Sequence, residues 1–366
     1  MRLVSQKDHL AGRLAAVGRA ASSKSTVPTL SHVLIDASDD GVQVAATDME
    51  ISLRAPMEAR VDEPGSLVVP RLAADIVRSM VPGEVTLEHR EGEGTVSLSG
   101  GSSSFTLNCL QAAEFPQLPE AGVQGIVIPA DAFTATAERV ARAASRDDTR
   151  PVLTGVLVRI APDSLTMVAT DSYRLAVRTA PITGGPADAV QALVPARALV
   201  EAQRAIALAG ADEVEVALSD TTGTFRAGDV VLTTRLIDGQ FPDYRQLIPD
   251  QFTHDLQLDR GELLAVLGRI AVIAQRNTPV RMTLDEGRMT LSVVSEQLGE
   301  GHESIPIKFT GEPMEIGFNV EFLRAGVEAV EGDTLRLGII SPLRPGLLRA
   351  DDEDFRYLLM PIRLNG

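Results

Sequence analysis

Arg19-Ala20-Ala21-Ser22 and Arg142-Ala143-Ala144-Ser145 are one phrase written twice, 123 positions apart, and the residues around it repeat as well. Before the first copy, Leu10, Leu14 and Val17 recur at helical spacing, and Phe133, Ala137 and Val140 do so before the second; each predicts an amphipathic helix. After them come Pro28-Thr29-Leu30 and Ala46-Thr47-Asp48, matched by Pro151-Val152-Leu153 and Ala169-Thr170-Asp171. A third, diverged copy has Leu263, Leu267 and Ile270 in its helix and Pro279-Val280-Arg281 after it. A second helix is expected in each unit after Val69-Pro70, Val194-Pro195 and Phe318-Asn319, and two units close on Phe115-Pro116 and Phe241-Pro242. Solenoid periods run from roughly 20 to 50 residues, so a period this long is a whole domain. We expect three tandem domains, at 1–122, 123–251 and 252–366.

Between the predicted helices lie alternating segments such as Gly41-Val42-Gln43-Val44-Ala45, Ser164-Leu165-Thr166-Met167-Val168 and Thr224-Phe225-Arg226. Asp39-Asp40-Gly41, Gly92-Glu93-Gly94, Gly100-Gly101 and Asp285-Glu286-Gly287 punctuate them as turns. Each unit thus reads as α+β with antiparallel sheet. The acidic run Asp351-Asp352-Glu353-Asp354 is expected to be a solvated hairpin loop. No Trp, three Tyr and ten Phe leave the cores to aliphatic side chains. No apolar run approaches a membrane span and the first residues lack a signal-peptide core, so a cytoplasmic protein is expected.

The net charge of −16 argues against nucleic acid, whose phosphates are bound by Lys and Arg. Distribution qualifies the sum. Six expected helical segments, 6–24, 71–80, 131–150, 196–205, 259–276 and 321–330, hold 16 basic and 11 acidic residues. Helices facing phosphate with sheets facing the cytosol would show that asymmetry.

Catalytic chemistry is hard to find. His9, His32, His89, His254 and His302 are scattered singly, and Cys109 is the only cysteine, so neither a metal site nor a disulfide is expected. Gly100-Gly101-Ser102-Ser103-Ser104 lacks the Lys of a phosphate loop, and no Gly-x-Ser-x-Gly elbow occurs. Thr47-Asp48 and Thr170-Asp171 stand at matching places in duplicated domains, which favours side-chain hydrogen bonds within a turn over catalytic acids.

Taken jointly, the threefold repeat, Ala169-Thr170-Asp171-Ser172-Tyr173-Arg174-Leu175-Ala176-Val177, Leu236-Ile237-Asp238-Gly239-Gln240-Phe241-Pro242-Asp243-Tyr244-Arg245 and Tyr357-Leu358-Leu359-Met360-Pro361-Ile362-Arg363-Leu364 resemble the bacterial sliding clamp family, the β subunit of DNA polymerase III. The resemblance covers essentially the whole chain. It implies a ring-forming DNA-clamp fold, with helices lining the inside and antiparallel sheets outside, that encircles duplex DNA without sequence preference as a head-to-tail homodimer. It implies a non-catalytic processivity factor without cofactor or metal, tethering the replicative polymerase, the clamp loader and repair proteins. Geometry agrees with the dimer. Six helices packed about 9 Å apart would line a circle of only about 17 Å, and twelve one of about 34 Å, around a duplex roughly 20 Å across.

In the family, partners insert a short apolar peptide between the second and third domains. The resemblance carries that pocket onto Thr170, Ser172, Tyr173, Arg174 and Leu175, onto Pro242 and Leu247, and onto Leu358, Met360, Pro361, Ile362, Arg363 and Leu364. Core packing remains the alternative for Leu175 and Leu358. DNA contacts are expected at Lys24 by resemblance, and by charge at Arg146, Arg150, Arg197 and Arg276. The chain departs from the family by having Ser172-Tyr173 where Gly-His is common, and by the extra Asn365-Gly366. Two alternatives stay open here: a second-copy clamp with a special role, such as insensitivity to a pocket-binding inhibitor, and a hydrolase or transferase on a repeated scaffold.

Overall fold

The computed structural model describes residues 1–22, 24–90, 92–119, 125–274, 278–351 and 354–364. Its helices are α1 Lys7–Val17, α2 Ala73–Ser79, α3 Ala130–Ala141, the single turn α4 Pro151–Thr154, α5 Ala196–Ala209, α6 Arg260–Ile273 and α7 Val320–Ala329. Around α1 and α2, α3 and α5, and α6 and α7 the chain repeats one order: a strand, a helix, four strands, a helix, three strands. The first copy adds the short strands Arg60–Glu63 and Leu110–Gln111.

The repetition extends to single hydrogen bonds. The first residue of each leading helix donates to the loop after the second: Lys7 N to Gly83 O at 2.9 Å, Ala130 N to Asp212 O at 2.8 Å and Arg260 N to Asp333 O at 2.8 Å. Beside each bond the strand before the first helix pairs antiparallel with the strand after the second: Arg2–Gln6 with Glu84–His89, Ile126–Pro129 with Glu213–Leu218, and His254–Asp259 with Thr334–Ile339. In the first and third repeats the two helices also pack against each other, α1 on α2 and α6 on α7.

By contacts the chain forms two compact units: Met1–Phe133 with Gly184–Pro186 and Arg197–Leu236, and Thr134–Thr183 with Ala187–Ala196 and Ile237–Gly366. The reason is that sheets fuse across repeats. In the first unit, Val230–Arg235, which ends the second repeat, pairs with Ile51–Met57 of the first, making a nine-stranded sheet. In the second unit, Phe355–Leu359, which ends the third repeat, pairs with Arg174–Pro181 of the second, making an eight-stranded sheet. A five-stranded sheet and a four-stranded sheet complete the two units.

Expected strands and turns form, with positive φ at Gly41, Gly92, Gly101 and Gly287. Helix ends differ. The first helix of each of the first two repeats stops at Val17 and Ala141, well short of the expected 24 and 150, because the chain turns to close Ser22 N to Leu30 O at 2.7 Å and Ser145 N to Leu153 O at 2.8 Å. The six longer helices therefore carry only nine basic against eight acidic residues. The cationic character lies just beyond them, in Arg19 and Lys24 and in Arg142, Arg146 and Arg150. In the acidic run, Asp351 pairs with Arg336 at 2.7 Å and Asp354 with Arg178 at 3.5 Å rather than being simply solvated. Asp352 and Glu353 lie outside the described residues.

Candidate peptide pocket and basic surface

Thr170-Asp171 builds a turn. Thr170 Oγ1 donates to Arg174 O at 2.7 Å, Ser172 N donates to Thr170 Oγ1 at 3.2 Å, and Asp171 Oδ1 accepts Tyr173 N and Arg174 N at 2.9 and 3.0 Å. Thr47-Asp48 repeats the pattern, with Thr47 Oγ1 donating to Ile51 O at 2.9 Å and Asp48 Oδ1 accepting Glu50 N and Ile51 N. Both turns need one residue in left-handed backbone, Met49 at φ 74° and Ser172 at φ 79°. Glycine adopts that region freely, which gives the Gly common in the family its physical reason. The structural reading of both Thr-Asp pairs holds.

The second turn is braced from beneath. Arg174 Nε donates to Asp171 Oδ2 at 2.9 Å, Arg174 Nη1 to the Tyr357 hydroxyl at 3.2 Å, and that hydroxyl to Phe322 O at 3.0 Å. The guanidinium also lies 4.3 Å over the Phe322 ring. The polar ends of Thr170 and Arg174 thus serve the turn.

On the outer face of the eight-stranded sheet, register places Thr170, Leu175, Leu358 and Leu347 side by side across four strands. Leu175, Leu358 and Leu347 form an apolar cluster with Val168 and Tyr244. Phe241, Ile248 and Phe252, from the segment linking the second and third repeats, pack against it. Leu175 and Leu358 are buried, as their core alternative requires, so they form the floor rather than the open wall. Open apolar surface is supplied by Tyr173, 61% exposed, Leu247, 54%, and Met360, 44%. Met360 N donates to Tyr173 O at 2.8 Å, which brings two of these three together. Pro242 is exposed nearby in sequence, beside Phe241.

Beyond Met360 the chain leaves the sheet. Ile362 N donates to Gly317 O at 2.8 Å, and a Cβ on Gly317 would stand 2.8 Å from the backbone oxygen of Ile362, so glycine is required at this crossing. Pro361, Ile362 and Leu364 are half-buried, and Arg363 is exposed.

Sequence reasoning did not name among the site residues Tyr244, Leu347 and Ile248, which belong to or pack against this apolar cluster. Tyr244 stood inside a quoted motif, but Leu347 is visible only through pairing of Leu347 with Leu358. It also missed Leu343, 72% exposed in the loop before Gly346, whose strand partner Leu359 precedes Met360.

The same frame in the first unit is polar. Thr47, Ser52, Thr233 and Thr224 stand at the corresponding register positions, all buried, with Ser52 Oγ donating to Thr47 Oγ1 at 2.9 Å. A row of hydroxyls replaces a row of leucines.

The basic candidates divide. Lys24 is exposed and lines an open cavity with Arg19, Arg71, Arg197 and Arg204, where Asp48 and Glu201 are the acids. Arg197 is held by Asp48 and by Arg19 O, the latter at 3.1 Å. Arg146 is exposed at another open cavity, with Arg142, Tyr173 and Phe322. Arg150 lines it too, but bonds to Asp147 and Ser172. Hydrogen bonds from Thr149, then the Arg150 guanidinium, hold the Asp147 carboxyl below the usual carboxylate range. Arg276 lies outside the described residues.

Among the described residues, no group of His, Cys, Asp and Glu is placed to hold a metal, and no helix is long and apolar enough to cross a membrane.

Three tandem repeats fused through their sheets define a DNA-clamp fold. Models of the N-terminal, central and C-terminal domains of the DNA polymerase III beta subunit match residues 1–119, 127–243 and 245–363. The Beta sliding clamp of Synechococcus elongatus is 36% identical over 374 residues, and that of Streptomyces coelicolor 33% over 380, with all of each chain covered. A crystal structure of the DNA polymerase sliding clamp from Bacillus subtilis superposes with a TM-score of 0.89 at 29% identity, again over all of both chains. The chain belongs to the DNA polymerase III β subunit family, the bacterial sliding clamps. Its members are non-catalytic processivity subunits, so the hydrolase or transferase alternative falls.

Burial pushes the Tyr357 hydroxyl up to about 12, although Arg174 pulls it down. A raised folded-state value stabilises the protein fully below the ordinary pKa and is lost as pH climbs through the raised one. We therefore expect wild type to lose stability relative to Tyr357→Phe, on the order of 2 kcal/mol, between pH about 10 and about 12. Urea midpoints of the two proteins measured across that window should show their difference shifting in favour of Tyr357→Phe as pH rises; a constant difference would refute the assignment.

Proposed function

We propose that this chain is the sliding clamp of a replicative polymerase: a head-to-tail homodimeric ring around duplex DNA that tethers the polymerase, the clamp loader and repair proteins through the apolar pocket of the second unit. The domain limits we assign are 1–122, 123–251 and 252–366, and the setting is cytoplasmic. The plain naming of the relatives favours this reading over a specialised second copy.

The observation that carries the ring is a pairing rule left incomplete. The last strand of each later repeat pairs with the fourth strand of the repeat before it. Applied once more, the rule joins Ser103–Asn108, which ends the first repeat, to Gly299–Pro306, the fourth strand of the third. Both stand at edges of their sheets. Only a second copy in head-to-tail arrangement continues the rule, and two copies related by a twofold axis close it.

Side chains along that seam support the same reading. Within the chain, Arg19 pairs with Glu201 at 2.9 Å and Arg142 with Glu328 at 3.5 Å, each pair joining the end of a repeat's first helix to the second helix of the next. Val272 takes the place of Arg19 and Arg142 in the third repeat and is 78% exposed; in the first, Ile76 takes the place of Glu201 and Ser79 that of Glu328. Val294, Leu298 and Phe105 are exposed as well, on or beside the edge strands. Apolar side chains replace ion pairs where a separable contact has to hide surface from water.

For DNA we propose Lys24, Arg146, Arg197 and Arg276 as weak, sequence-blind phosphate contacts. Arg197 reaches phosphate only by sharing itself with Asp48. Arg150, bonded to Ser172, we assign instead to the rim of the peptide pocket. Its walls are Tyr173, Pro242, Leu247, Met360, Pro361, Ile362, Arg363 and Leu364, over a floor of Leu175 and Leu358, with Thr170, Ser172 and Arg174 shaping the turn.

Sedimentation at micromolar concentration should give twice 39.0 kDa for wild type, and half that for Val272→Glu; a wild-type monomer contradicts the ring. In calorimetry with a short Leu- and Phe-containing peptide, Met360→Ala should lose roughly 1 to 3 kcal/mol, about 5- to 150-fold in affinity. Equal binding by the folded variant would mean that the pocket lies elsewhere.

A further inference from the structure

Arg150 is fixed on two sides. Its Nε donates to Asp147 Oδ2 at 3.1 Å and its Nη1 to Ser172 Oγ at 3.2 Å. Asp147 is itself held, its N donating to Ser145 Oγ at 3.1 Å and its Oδ1 accepting the Thr149 amide and hydroxyl at 3.1 and 2.6 Å. The chain Ser145–Asp147–Arg150–Ser172 thus ties the loop after α3 to the turn that carries Tyr173 and, through Tyr173 O, Met360. Among the described residues Nη2 of Arg150 has no partner.

This tie is absent from the first repeat. Lys24, Val27 and Met49 occupy the places of Asp147, Arg150 and Ser172 there, so neither guanidinium nor hydroxyl is present. That repeat is also the one whose outer row is Thr47, Ser52, Thr233 and Thr224 rather than leucines. The tie and the apolar floor occur together. Backbone preference does not explain Ser172, since glycine would adopt φ 79° without strain.

We infer that Ser172 is a positioning residue of the peptide site: its hydroxyl holds the Arg150 guanidinium on the pocket-forming turn, leaving Nη2 to donate to an acceptor oxygen of the docked peptide. The inference rests on the docking reading above. A planar guanidinium held at two nitrogens offers its third in a fixed direction, and a group ordered before binding loses less freedom on binding. Lysine carries its three donors on one rotatable nitrogen, so it cannot span Asp147 and Ser172 with a rigid fork that aims a third donor in a fixed direction.

The test uses the full-length protein and a short Leu- and Phe-containing peptide, titrated calorimetrically, with a thermal melt of every variant. Ser172→Gly and Ser172→Ala should bind about 3- to 10-fold more weakly. Ser172→Gly should nonetheless melt at or above wild type, because it relieves the left-handed backbone. A purely structural serine would not separate the two readouts in this way. Ser172→Asn should bind within about twofold of wild type, since asparagine tolerates this backbone and offers an acceptor oxygen, whereas Arg150→Lys should bind as weakly as Ser172→Ala. If Ser172→Gly and Ser172→Ala bind like wild type while Met360→Ala is weakened, the positioning role is wrong. If Met360→Ala also binds like wild type, the docking reading fails and takes this inference with it.

Discussion

Backbone pairing between the last strand of one repeat and the fourth strand of the one before it governs the rest of this structure. A strand edge presents a row of unmet donors and acceptors, and each edge needs a partner. Here two of three such edges are met inside the chain, Ile51–Met57 by Val230–Arg235 and Arg174–Pro181 by Phe355–Leu359. The sheets that result cross the repeat boundaries, which is why the molecule divides into two compact units although it is written as three repeats. The third pair, Ser103–Asn108 and Gly299–Pro306, stands at the edges of its sheets.

The same fusion makes the apolar cluster on which we place the proposed peptide pocket. Register across Leu175, Leu358 and Leu347 joins residues from two repeats into one apolar floor, and the connecting segment from Phe241 to Phe252 covers part of it. Because the first unit has the same frame with Thr47, Ser52, Thr233 and Thr224, the frame itself does not create an apolar site; the side chains in one row do. The polar row lies in the other sheet and satisfies its own hydroxyls, whereas the leucines form a buried apolar cluster with Val168 and Tyr244.

Much of this was legible before any coordinates. Duplicated local phrases such as Arg19-Ala20-Ala21-Ser22 report duplicated local hydrogen bonds, and the Thr-Asp turns formed as their composition implies. Helix ends were less legible, because Ser22 N and Ser145 N donate to Leu30 O and Leu153 O, carbonyls that lie well downstream and that local periodicity does not encode. That error moved the positive charge from the loops onto the helices. Leu347 was out of reach for a similar reason: its place depends on which strands meet, and a sequence states that only where a motif marks it.

The central claim is that the protein holds DNA by enclosing it, with phosphate contacts too weak to hold on their own. The direct measurement is retention on DNA before and after the circle is cut. Loaded onto nicked circular duplex, the protein should stay bound through a high-salt wash and leave when a restriction enzyme linearises the circle, because topology is indifferent to salt whereas phosphate binding weakens steeply with it. Salt-resistant binding that survives linearisation, or equal affinity for a short linear duplex, would contradict the account.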